Sequence, residues 1–300
     1  MRNTPRAIAL KLGQTLAFSL MYAAIKLAGD VPIGQVVFFR GFFALAPLFA
    51  WTFFTVGPVA AVATKRPRYH IVRGVIGVTS MFTNFTALKL LPLATVTAFG
   101  FMSPIFAVVL AAIFLGEHVG RFRWTAVLVG FAGVLLMIEP HGGLASLAAL
   151  RLSKGVTYAL MFSFLSAVVV VWIRQMSATE RAEAIVFYFM AACAAVGAVV
   201  MAFDHVPMTV SMVFWLVLCG FLGGIGQLLM TYSYRFGEPS LLAPFDYISM
   251  IWAMLLGWFV FGEMPEAMVL AGAGVVIVSG IFIAWREHRL HVELPIEPLT

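Results

Sequence analysis

Ten apolar runs, most of them about twenty residues long and parted by short clusters of charge, proline or glycine, make up most of this chain. They lie at 8–28, 33–55, 71–90, 93–115, 124–139, 155–174, 184–203, 211–232, 239–261 and 267–285. A helix rises about 1.5 Å per residue, so about 20 residues cross the roughly 30 Å hydrocarbon core of a bilayer. Only the fifth run, 124–139, falls clearly short of that length. Apolar residues are 62% of the sequence and charged residues 11%, against about half and about a quarter in a soluble globule. The runs are continuous rather than alternating apolar and polar every second residue, which excludes an outer-membrane barrel. The expected fold is an all-α polytopic membrane protein of ten transmembrane helices, embedded in the lipid bilayer with no separate soluble domain.

The formal charge of +6 does not point to nucleic acid, because the basic residues sit in twos and threes at the ends of apolar runs, where headgroups and water meet them. Cys193 and Cys219 fall inside runs, as small packing residues rather than a disulfide framework or a metal site. Neither a metal nor a cofactor is expected. Arg2 and Arg6 precede an apolar stretch that continues to Ala28, too long for a signal peptide and read as an uncleaved first helix.

An even number of spans puts both termini on one side. Fourteen of the nineteen Lys and Arg residues then fall on the side of the termini, four (Lys26, Lys89, Arg151, Lys154) on the other, and Arg40 inside a span. The positive-inside rule makes the termini cytoplasmic. The stretch 140–154 is the longest connection, and the polar tail from His288 to Thr300 is expected to be disordered.

The two halves align at a nearly constant offset. Gly74 and Gly77 fall on Gly220 and Gly223, Lys89 on Arg235, and Gly116-Glu117 on Gly262-Glu263, all 146 apart; VVFFR at 36–40 meets AIVFY at 184–188, 148 apart. A unit with five crossings, duplicated in tandem, inserts its second copy upside down. Inverted repeats of this kind are a recurring plan of secondary transporters, with substrate held near mid-bilayer between the copies. The expected organisation is a first five-helix repeat at 1–139, a connection at 140–154, a second, inverted repeat at 155–285, and a cytoplasmic tail at 286–300.

Leu115-Gly116-Glu117 and Phe261-Gly262-Glu263 each close the fourth span of a half, and ALKLLPLA at 87–94 and YSYRFGEPS at 232–240 each link a third span to a fourth. In these features residues 8–285 resemble the EamA-type branch of the drug/metabolite transporter superfamily, and are most similar to its YddG-type amino-acid exporters. The resemblance implies ten helices, cytoplasmic termini, and carriage of small metabolites across the bacterial inner membrane. These motifs are structural and transfer no binding residue.

Ionisable groups at mid-bilayer cost at least about 2.5–3.5 kcal/mol on insertion scales, which makes them functional candidates. By span position these are Asp246 and Arg40, each about 10 Å from opposite edges of the hydrocarbon. Asp246 is read as negative potential for a substrate ammonium or as a proton site, with Gln227 as an alternative packing partner. Arg40 is read as a carboxylate ligand or outer gate, or else as a snorkelling side chain or a partner of Asp30. Asn84 and Gln227 carry amides that lipid cannot satisfy. Ser103 lies near the centre of span four, and Tyr22, Phe99 and Tyr188 are candidate cavity walls for apolar or aromatic substrate groups.

The chain has no G-x-x-x-x-G-K-[ST] phosphate loop, no H-E-x-x-H and no TVGYG filter. No enzymatic activity is expected. The leading expectation is a secondary transporter, in the export direction, of amino acids and related small metabolites by alternating access, with a monomer among the allowed assemblies. The alternatives are a carrier of phosphorylated or nucleotide-linked metabolites, or a channel. The first alternative needs more than one deep basic group, and by span position only Arg40 qualifies.

Overall fold

The structure is a computed structural model that describes residues 4–293 apart from 56, 58, 60, 61, 104, 107, 108, 111–120, 139–152, 178, 237–241, 243 and 244. The helices named in chain order are α1 (Thr4–Leu27), α2 (Ile33–Phe54), α3 (Pro67–Leu90), α4 (Leu93–Gly100), α5 (Arg121–Ile138), α6 (Lys154–Ser177), α7 (Ala182–Phe203), α8 (Val210–Phe236), α9 (Ile248–Phe261) and α10 (Ala267–Glu293). Among the described residues, six helices are long and apolar enough to cross a membrane: Pro5–Leu27, Ile33–Phe54, Pro67–Leu90, Lys154–Ile173, Ala182–Phe203 and Val210–Ser233. Bulky apolar side chains such as Phe53, Phe203, Val210 and Phe259 stand out from the bundle, as a lipid-facing surface requires and a water-facing one discourages.

Helix α1 packs along α8, α2 along both α7 and α8, α3 on α6 and α7, and α5 on α10. Glycine sets the closest crossings. At the α5–α10 crossing a Cβ on Gly133 would lie 2.8 Å from the carbonyl of Gly272, so only a residue without one lets the two backbones meet. The α2–α7 crossing is similar, with a Cβ on Gly41 falling 2.8 Å from the carbonyl of Met190.

Two expected spans carry a turn within them. Span four turns at Phe101 and Met102 after α4, and span nine turns at Tyr247 before α9. The two turns lie 146 residues apart and touch, with the rings of Phe101 and Tyr247 edge to face at 5.0 Å. Their meeting place lies between α4 and α9, which pack on one another.

The end of α9 gives the FGE motif its physical reason. Gly262 adopts a left-handed backbone with φ 65°, which ends the helix and directs the N–H groups of Gly262 and Glu263 to the carbonyls of Trp258 and Gly257. The Glu263 carboxylate then accepts from Lys26 Nζ at 2.5 and 2.8 Å and from the Leu93 N–H at 3.3 Å. One carboxylate thus ties together the C-terminal ends of α1 and α9 and the start of α4. The corresponding Leu115-Gly116-Glu117 turn and the 140–154 connection lie outside the described residues, apart from Ser153 and Lys154. The tail needs one correction: α10 continues to Glu293, so 288–293 are helical rather than disordered, and 294–300 lie outside the described residues.

Candidate functional site

The buried polar side chains gather where α1, α2, α3, α7 and α8 meet. Arg40, in the middle of α2, is 3% exposed. It neither snorkels outward nor pairs with Asp30. Its guanidinium turns into the bundle, where Nη1 meets the sulfur of Met190 and Nη2 donates to the carbonyl of Gly223 at 3.3 Å. Nε is buried without a partner. Asn84 on α3 donates from Nδ2 to the Tyr22 hydroxyl on α1 at 2.8 Å, and its Oδ1 has no partner. Tyr22 and Arg40 lie within electrostatic range of each other. Three residues singled out in the sequence, from three separate helices, are therefore brought together.

The position of Arg73 corrects the expectation of a single deep cation. Its place near the start of the third run suggested a headgroup-facing end. Helix α3 begins earlier, at Pro67, which sets Arg73 almost two turns inside, 3% exposed. Its guanidinium lies over the Phe189 ring at 4.0 Å from the centroid, while Nε and Nη1 have no hydrogen-bond partner. Lys11 makes the same point: counted among the end charges, it is 1% exposed and holds Asp246 Oδ1 at 2.7 Å.

Asp246 is thus part of an ion pair between α1 and the segment before α9, and 40% of its side-chain surface is exposed. Asp246 is itself helical, one residue before a turn at Tyr247 that separates it from α9. Gln227 is buried on α8 at 7% exposure. Phe99 is fully buried, its carbonyl accepting from Ser163 at 2.7 Å, and Ser103 follows the turn in span four. Tyr188 belongs elsewhere: its hydroxyl donates to the carbonyl of Val62 at 2.9 Å and its ring packs on His70 at 4.5 Å.

That second cluster contains a buried contact between His70 Nε2 and Glu180 Oε2 at 3.2 Å. Desolvation pushes the Glu180 carboxyl up, but hydrogen bonds from His70, Thr64 and the Lys65 N–H outweigh it and hold it below its ordinary value. A carboxylate so depressed contributes stability that is present at neutral pH and lost as pH falls through its folded value. Wild type is therefore expected to be more stable than Glu180→Gln at neutral pH, with the gap closing in acid below the ordinary carboxylate range. Thermal unfolding of both proteins across that range checks it; a gap independent of pH refutes it.

A bundle of apolar helices around a buried, partly unsatisfied polar centre is an arrangement that suits a multi-pass membrane transporter. The sequence matches the EamA-like transporter family over residues 5–139 and again over 153–285, and the chain belongs to that family. It is 30% identical over 283 residues to the pseudopaline exporter CntI of Pseudomonas aeruginosa, covering 92% of this chain and 96% of that protein. It is 27% identical to a riboflavin transporter of Rhizobium johnstonii, covering 91% and 89% of the two chains. It is 26% identical to an S-adenosylmethionine uptake transporter of Rickettsia felis, covering 85% and 84%. A solved crystal structure shares the fold with a TM-score of 0.67 at 18% identity, covering 96% of this chain and 99% of that one. The family and these relatives are membrane transporters, not enzymes.

Proposed function

We propose that this protein is a secondary carrier that exports amino acids and related small metabolites across the bacterial inner membrane by alternating access, with both termini cytoplasmic. The observation that carries the reading is the Tyr22–Asn84–Arg40 group: hydrogen-bonding capacity placed inside an apolar bundle and left partly unused. A carboxylate suits the free guanidinium edge, and an ammonium or hydroxyl suits Asn84 Oδ1. Asp246 is the proton site or ammonium partner in this scheme, released when Lys11 lets it go. Gln227, Phe99, Ser103 and Tyr188 complete the proposed set, the last toward the His70 end.

The repeat organisation is part of the proposal, with 1–139 and 155–285 as inverted five-helix copies joined by 140–154 and followed by the tail 286–300. The helix contacts support it. When the first five helices are exchanged with the last five, α1 on α8 becomes α6 on α3, and α2 on α8 becomes α7 on α3, both of which occur. The contacts α2 on α7, α4 on α9 and α5 on α10 map onto themselves. The touching turns at Phe101 and Tyr247, 146 residues apart, are a pair that such an axis would relate, and transporters of this plan hold substrate near it.

Counterflow in proteoliposomes tests the reading. Vesicles loaded with unlabelled amino acid are expected to draw in the labelled compound transiently and saturably, as exchange on a carrier does. Flux that never saturates would identify a channel, and the absence of exchange with any amino acid or related metabolite would overturn the proposal.

A further inference from the structure

The core holds two buried guanidinium groups, and among the described residues neither is paired with a carboxylate. Arg40 and Arg73 contact consecutive residues of α7, Met190 and Phe189, and both lie within electrostatic range of Cys193 and of each other. Three of their nitrogens, Arg40 Nε and Arg73 Nε and Nη1, are buried donors with nothing to accept from them. Like charges in an apolar interior repel and are costly to desolvate, so two of them within reach of each other call for an anion.

The backbone is shaped around both. A Cβ on Gly223 would fall 2.9 Å from Arg40 Nε and 2.9 Å from Met21 Sδ. A Cβ on Gly77 would run into the Arg73 guanidinium and come within 2.7 Å of the Phe189 ring. These two glycines are counterparts at the 146-residue offset. Each copy of the third-span glycine therefore makes the bed for one arginine, one on α3 and one on α8.

We infer that Arg40 and Arg73 form a single anion site whose substrate carries two negative charges, as a dicarboxylate or a phosphate ester does. The inference deepens the carrier reading and rests on it for the site's access to water. A guanidinium offers parallel N–H donors that match a carboxylate or phosphate edge, and two of them match two such edges. An amino acid with a neutral side chain fills only half of the site.

Thiol labelling tests this whatever the substrate proves to be, because Cys193 lies beside both arginines. In Cys219→Ser protein in vesicles, an anionic methanethiosulfonate is expected to modify Cys193 at least about tenfold faster than a cationic reagent of the same size. Arg73→Gln should bring the two rates together. Glutamate should slow the anionic reagent more than glutamine does if the partner is a dicarboxylate, and glycerol phosphate should do so if it is a phosphate ester. Equal rates in the arginine-containing protein, or no modification by either reagent, would overturn the inference whether or not Arg73→Gln folds. Counterflow run on the same vesicles separates the two readings: exchange without charge preference refutes the anion site alone, and charge preference without exchange refutes the carrier alone.

Discussion

Asp246→Asn is expected to lower stability by about 1–3 kcal/mol, because it takes from the buried Lys11 ammonium the carboxylate that stands 2.7 Å away. Lys11 is 1% exposed and sits on α1, whereas Asp246 is half open, which keeps the cost toward the lower end for a broken internal pair. The double variant Lys11→Met/Asp246→Asn should recover most of the loss, since an apolar side chain of similar length needs no partner. Thermal unfolding of the purified protein in detergent reads both effects. The same single variant should also abolish accumulation driven by a pH gradient. Accumulation with unchanged pH dependence would remove Asp246 from the coupling scheme, and a single variant as stable as wild type would remove the ion pair from the account of the fold.

Gly223→Val should have the second large effect. The new side chain would occupy the space of Arg40 Nε and Met21 Sδ, both in a packed interior. Overfilling a core of this kind costs about 1–3 kcal/mol, and displacing the Arg40 guanidinium should remove counterflow altogether. Gly274→Ala makes the control, because a Cβ there meets nothing within 4 Å and glycine at a helix interior costs about 0.5–1 kcal/mol relative to alanine. Counterflow retained in Gly223→Val and lost in Gly274→Ala would contradict the arrangement of α2 against α8.

The helices could be read from the sequence because lipid imposes a length and a polarity on each crossing, and most expected boundaries lie within a few residues of the observed ones. Arg73 and Lys11 could not be placed, because a positive charge near the end of an apolar run has two fates with one signature. Only the start of the helix decides between them: α3 begins at Pro67 and α1 at Thr4, so both charges are carried inward. The turn at Tyr247 was hidden for a related reason, since an uninterrupted apolar run describes a span with a turn in it and one without equally well. Arg40 and Asn84 could be singled out by the cost of burying a polar group, and Tyr22 as a candidate cavity wall. Their meeting depends on the packing of α1, α2 and α3, which no single run encodes. Glu263 was visible as a motif and its job was not, because Lys26 lies 237 residues away.

Lys11 and Lys26 stand fifteen residues apart on α1, about 22 Å along its axis. Their partners, Asp246 and Glu263, stand seventeen residues apart on either side of the turn at Tyr247. Two pins on one rod forbid what one allows: the ninth span cannot pivot on either carboxylate while the other stays fastened.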